Sequence, residues 1–158
     1  MNKDGQREHK AIILAHKPTI VYIITALMFV TSSIYFYVAY EDHLELLKPT
    51  SALSADDITS TKKEMIFFLI VAICYIIIAI WMLFVEHKSK IPYIIAIVGS
   101  AALIVFYILT RVIDIPTIGL QTDIGIPDIL AKTFQGIIIA ITSFLIVSMI
   151  IRNKIRKI

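Results

Sequence analysis

The chain has 158 residues, a formal net charge of +3 and apolar side chains at 58% of its positions. A mean hydropathy of +0.85 lies outside the range of soluble domains and predicts an integral membrane protein. The basic residues are spread over several short segments, which excludes a nucleic-acid-binding protein. The length allows one domain of a few spanning helices.

The N-terminal part predicts a short tail and a first span. Residues 1–17 are polar and basic, and we expect a cytoplasmic tail with a short interfacial helix that ends at Pro18. The apolar run that follows lacks the short core and small-residue end of a cleaved signal peptide, so it predicts a retained span over about 19–40. Aromatic residues at the end of this run are typical of a membrane interface; they are Tyr35, Phe36, Tyr37 and Tyr40.

The next segment, 41–63, is acidic and then rich in turn-forming residues, which predicts a surface loop. Its first residues place one histidine among three carboxylates, a set that can bind a divalent cation. A solvated helix end is the alternative, because a single histidine beside carboxylates does not specify a metal site. The possible ligands are Glu41, Asp42, His43 and Glu45.

Two further spans are predicted over about 64–85 and 92–110. The connection between them is short, so they form an antiparallel hairpin. The third span contains small residues that let helix backbones approach closely, and we expect this face to make a tight contact inside the bundle. These residues are Ala96, Gly99, Ser100, Ala101 and Ala102.

Charged and polar residues are concentrated around the connection 111–127 and the start of a fourth span over about 128–151. The predicted structural or interaction cluster consists of Arg111, Asp114, Asp128, Lys132 and Gln135. We expect Arg111 to pair with one of the two aspartates and fix the connection; a ligand, metal or partner site is the alternative. The helical spacing from Asp128 through Thr142 predicts one inward-facing stripe.

Loop charges predict the orientation. The 1–17 tail, the short second connection and the basic tail 152–158 hold ten of the fifteen Lys and Arg residues. The positive-inside rule then places both termini in the cytoplasm. The sequence therefore predicts an all-α, four-helix, up-down bundle in residues 18–151 of a multi-pass cell-membrane protein, with a folded extracytoplasmic connection between helices 3 and 4.

Several chemistries are excluded by the residues present. His43 and His87 fall at opposite ends of their spans, which excludes bis-histidine haem within one chain, and Cys74 is the only cysteine. No ionisable residue lies near the middle of a span, so a proton-coupled transporter is not expected. We expect no enzyme activity and no cofactor in this chain, and a non-catalytic accessory role beside lipids and larger membrane subunits. The alternatives are a small metal- or solute-binding protein that uses the acidic and histidine residues, or an oligomeric channel.

Four motifs carry a resemblance to a known family: EDHLE at 41–45, FFLIVA at 67–72, TRVIDIP at 110–116 and GIPDILAK at 125–132. From Glu41 onward the chain resembles an uncharacterised family of four-span membrane proteins of archaea and actinobacteria. That family has an acidic residue where this chain has Gln135. In size and topology the chain is also similar to small accessory subunits of archaeal ammonia monooxygenase, and its isoleucine- and lysine-rich composition fits an archaeal source. This second resemblance implies copper in a partner subunit.

Overall fold

The computed structural model describes residues 17–48, 55–85, 89–112 and 125–155. These residues form four helices: α1 (Lys17–Leu46), α2 (Ala55–Val85), α3 (Ile91–Val112) and α4 (Ile126–Ile155). All four are long and apolar enough to cross a membrane. The predicted all-α four-helix architecture of a multi-pass membrane protein is therefore confirmed. The predicted interfacial helix of the N-terminal tail falls outside the described residues, apart from Lys17, where α1 begins.

The four helices form a ring in chain order. The most extensive contact between two helices joins α1 to α2. Helix α4 packs on both α1 and α3, and the contact between α2 and α3 is the least extensive of the four. Across the ring, the described backbones of α1 and α3, and of α2 and α4, do not approach each other. Tyr35, in the second half of α1, contacts Phe68 and Gln135 in the first halves of α2 and α4, and Arg111 at the end of α3 contacts Asp128 at the start of α4, so the helix directions alternate. The membrane side that holds the termini stays a prediction.

Each helix buries one stripe of residues inside the bundle, and the outward surface of each helix is mainly apolar. On α4 the buried residues recur every three or four positions, as a helix with one inward face requires; they are Ala131, Gln135, Ile138, Thr142, Leu145 and Met149. The outward faces carry large apolar side chains such as Ile77 and Phe84. In a bilayer these faces contact lipid tails, which are as apolar as the side chains.

The prediction of a surface loop over 41–63 is wrong for most of that segment. Helix α1 continues through Leu46, and α2 already begins at Ala55. No helix-breaking residue occurs between Tyr40 and Leu47, and Pro49 is the first residue whose ring opposes continuation of the helix. At 1.5 Å per residue, the six helical residues after Tyr40 extend α1 by roughly 9 Å beyond its predicted end.

The predicted small-residue face of α3 is divided between two directions. Ala96 and Ser100 are buried inside the bundle, in agreement with the expected contact. Gly99 and Ala102 instead face away from the other helices. A helix turns by about 100° per residue, so five residues within seven positions cannot share one face.

Candidate functional site

Polar side chains from all four helices meet at one end of the bundle, where α1 and α3 end and α2 and α4 begin. We call it the Arg111 end. The cluster predicted from the sequence lies here, except Asp114, which falls outside the described residues. The structure adds three tyrosines to the predicted residues: Tyr35 of α1, Tyr75 of α2 and Tyr107 of α3.

An ion pair joins α3 to α4. Arg111 Nη2 lies 3.2 Å from Asp128 Oδ2, and Asp128 is one of the two partners that the sequence predicts. The basic group stands in the last turn of α3 and the acidic group in the first turn of α4, where each is favoured by the helix dipole. The Arg111 guanidinium also lies 4.9 Å from the ring centroid of Tyr107.

The hydroxyl of Tyr35 joins α1 to α4. Its oxygen accepts hydrogen bonds from Gln135 Nε2 at 2.7 Å and from Lys132 Nζ at 3.0 Å. Its ring stacks on Phe68 and Tyr75 of α2, with centroid distances of 5.8 and 6.2 Å. A single side chain therefore holds three helices in register.

The aromatic run 35–40 predicts a membrane interface, but Tyr35 is only 3% exposed and belongs to the core. The helical spacing of the buried residues in α1 is what indicates that Tyr35 faces the core. Met28, Ser32, Tyr35 and Ala39 are all buried and follow the spacing of an inward face, whereas Tyr37 and Tyr40 point outward.

A second layer of hydrogen bonds lies nearer the middle of the bundle. Tyr75 and Ser100 share a buried hydrogen bond of 2.8 Å that links α2 to α3. Ser32 Oγ donates to the backbone carbonyl of Ala72 at 2.8 Å and links α1 to α2. Every neighbouring pair of helices in the ring is thus joined by a polar contact. Such bonds have few competitors in lipid, where no water is available.

Lys132 is a half-buried cation that forms no ion pair with any of the described residues. Its Nζ lies 5.1 Å from the ring centroid of Tyr107 and 5.5 Å from that of Tyr35, both within cation–π range. Among the described residues no carboxylate oxygen lies within 4 Å of this ammonium group. The Asp128 carboxylate, one helical turn earlier, is bound by Arg111.

A cavity of about 210 Å³ opens beside Lys132. Its aromatic and apolar walls come from α1, α2 and α3. Its polar groups, two of which belong to α4, lie near the helix ends. The lining residues are Tyr35, Lys63, Glu64, Phe67, Phe68, Leu103, Phe106, Tyr107, Thr110, Asp128 and Lys132. The cavity lies mostly between α2 and α3, the neighbouring helices that contact each other least.

The possible metal ligands are arranged differently from the prediction. All four lie on the last turns of α1 instead of a loop, with the carboxylate of Glu41 bonded to the Tyr37 hydroxyl and His43 exposed. Within the described ranges, no three His, Cys, Asp or Glu side chains come close enough to hold a metal ion. Successive helix residues point about 100° apart, which separates Asp42 and Glu45 from His43. A metal site at this position therefore stays a prediction without geometric support.

No protein-family model matches the chain, and comparisons with curated proteins and with solved structures found no match. The family resemblances drawn from the sequence therefore stay predictions. Among the described residues, the Arg111 end contains the Arg111–Asp128 ion pair, a network of interhelical hydrogen bonds, and the Lys132 cation beside an aromatic cavity.

Proposed function

We propose that this protein is a non-catalytic accessory subunit of a membrane protein complex. The observation that carries the proposal is the outward face of α4. Gly136 and Ala140 are four residues apart on this face and are both exposed. A Cβ built on Gly136 would meet no atom of the described residues within 4 Å, so this part of the chain leaves the position open.

Small residues four apart on a lipid-facing helix favour association with another helix. They let two backbones approach closely, and van der Waals packing is the main attraction between helices in lipid. A glycine inside a helix costs about 1 kcal/mol relative to alanine, and no contact with the described residues offsets that cost at Gly136. Thr133 extends the same face by one turn, and its hydroxyl donates to the Ile129 carbonyl, so it presents no unsatisfied donor to a partner.

The polar residues at the Arg111 end support a structural role, because they bond to one another between helices. Arg111, Asp128 and Gln135 all bond to other parts of the chain, and each of these bonds joins two helices. A non-catalytic subunit needs such fixed internal geometry and an outer surface that a larger partner can contact.

The most specific form of the proposal is a subunit of archaeal ammonia monooxygenase, with copper bound by a partner subunit. The resemblance in size and topology supports it. Identification by mass spectrometry of the proteins that co-purify with the chain from its native membranes tests this form directly.

The general proposal is tested by native electrophoresis of the tagged protein in mild detergent. We expect a species much larger than the 17.8 kDa chain, containing other membrane proteins. Gly136→Leu should release the chain from this species. Gly99→Leu is the matched control, since Gly99 is also helical, exposed and open, but its neighbours four residues away are Ile95 and Leu103. A free chain, an assembly of this chain alone, or equal effects of the two variants would contradict the proposal.

A further inference from the structure

The Lys132 ammonium beside the cavity at the Arg111 end has N–H donors that the described residues do not use. An ammonium group has three N–H donors, and Lys132 uses one of them on the Tyr35 oxygen. That oxygen also accepts from Gln135, so two strong donors already occupy it. Among the described residues, the other two N–H groups of Lys132 have no acceptor. Within the described part of the chain, the Lys132 ammonium therefore has two N–H groups available to an added acceptor.

The position of the Lys132 charge also favours an anion. Among the described residues that line the cavity, Asp128 is paired with Arg111, and the other charged side chains are Lys63, Glu64 and Lys132. Lys63 is exposed at the rim, whereas Lys132 lies deeper, over the two tyrosine rings. The rings would attract a second cation, but Lys132 already occupies that position and would repel it.

The remaining walls suit a flat or extended apolar group. Phe67 of α2 and Phe106 of α3 are in ring contact at the cavity wall, with centroids 5.2 Å apart, and Phe68 and Leu103 complete the apolar surface. An apolar cavity of about 150 Å³ can hold benzene, so about 210 Å³ has room for a substituted ring or a short acyl chain.

We propose that this cavity binds a small organic carboxylate with an apolar body. The carboxylate accepts hydrogen bonds from Lys132, and the body lies among Phe67, Phe68, Leu103 and Phe106. The ligand has two possible sources, a soluble aryl acid or an acyl acid from the membrane, which share this chemistry. The inference goes beyond the accessory role and is independent of it, because it concerns the interior of the bundle and not the outer face of α4.

The experiment is a ligand-observed NMR titration of the purified chain in non-ionic detergent with benzoate, octanoate and benzyl alcohol. We expect saturable binding of at least one carboxylate. Benzoate alone indicates an aryl acid, octanoate alone an acyl acid, and binding of both supports the shared class. Benzyl alcohol has the same ring without the charge, and it should bind about tenfold or more weakly than benzoate, as loss of a charge-assisted hydrogen bond requires.

Two variants locate the binding. Lys132→Met should weaken carboxylate binding by about tenfold or more, whereas Lys62→Met, which removes an exposed charge from α2 outside the cavity, should leave it unchanged. Leu103→Trp fills the cavity without changing its charge and should abolish binding. Leu109→Trp places the same ring on the outward side of α3 as its control.

Absence of saturable binding by both carboxylates would overturn the proposal. So would benzyl alcohol binding as tightly as benzoate, or a folded Leu103→Trp variant that binds like the wild type. If Lys132→Met does not fold, the comparison of the charged and uncharged ligands in the wild-type protein still decides whether the cavity recognises a carboxylate.

Discussion

The two ends of the bundle are held together by different forces. At the Arg111 end, the helices are joined by directed contacts: an ion pair and the bonds to the Tyr35 hydroxyl. Toward the opposite end the core consists mainly of apolar side chains such as Ile24, Met28, Met82 and Leu145. Lipid is as apolar as these side chains, so burying them gives little preference for one helix arrangement over another. The difference indicates that the Arg111 end selects the helix order and that the opposite end fills space.

The largest effect is expected at Tyr35. Tyr35→Ala removes a buried ring and the acceptor of two hydrogen bonds, and it should lower the free energy of unfolding by about 3 kcal/mol or more. Denaturation in mixed detergent micelles, followed by circular dichroism, measures this change. Tyr40→Ala is the control in the same helix, because Tyr40 is 58% exposed, and its effect should stay within about 0.5 kcal/mol. Equal effects of the two variants would mean that Tyr35 does not hold the Arg111 end together.

The second-largest effect is expected at the ion pair between Arg111 and Asp128. Arg111→Leu should destabilise the fold by about 2 kcal/mol, less than the 3–5 kcal/mol of a fully buried pair, because the Asp128 side chain is 31% exposed. The double variant Arg111→Leu/Asp128→Leu should recover part of the loss, since no unpaired charge remains. The same denaturation assay measures both. Unchanged stability of Arg111→Leu would exclude a role for this pair in fixing α3 to α4.

Gln135→Leu removes the amide that donates to Tyr35, together with its oxygen, which is buried without a hydrogen-bond partner among the described residues. The substitution keeps the size of the side chain and removes the donor to Tyr35, and we expect a loss of about 1 kcal/mol, typical of an interhelical hydrogen bond in a membrane protein. Thermal unfolding in detergent is sufficient to detect the lower stability. A more stable variant would indicate that desolvation of the amide outweighs the bond.

The smallest effect is expected in the opposite half of the bundle. Met28→Leu changes the shape of a fully buried side chain at nearly constant volume, and it should change stability by less than about 1 kcal/mol. Thermal unfolding in the same detergent compares the stability of this variant with that of Gln135→Leu. If Met28→Leu is the more damaging of the two, then apolar shape, and not polar contact, determines the helix order.

The four helices could be predicted from the sequence because each comes from a long apolar run, and the composition leaves no other environment for them. The Arg111–Asp128 pair could be predicted as one of two pairings, since both charges lie at helix ends beside the same connection. Asp114, the other predicted partner, lies outside the described residues, so its place in the cluster stays a prediction.

Other features depend on information that a single stretch of sequence does not contain. Tyr35 lies among outward-facing aromatic residues, so the local composition indicates an interface and only the helical spacing separates it from Tyr37. The segment 41–46 is polar, as loops are, yet it continues the α1 helix. The cavity beside Lys132 arises from the small contact between α2 and α3, which follows from the packing of all four helices and not from any motif.

The most direct test of the central claim is a double-mutant cycle between Tyr35→Phe and Gln135→Leu. If the hydroxyl–amide bond joins α1 to α4, the two losses of stability should not add, and the coupling free energy should be about 0.6 to 2 kcal/mol. The same cycle between Tyr35→Phe and Met28→Leu should give a coupling near zero. Additive losses in the first cycle would contradict the claim that directed polar contacts at the Arg111 end set the arrangement of the helices.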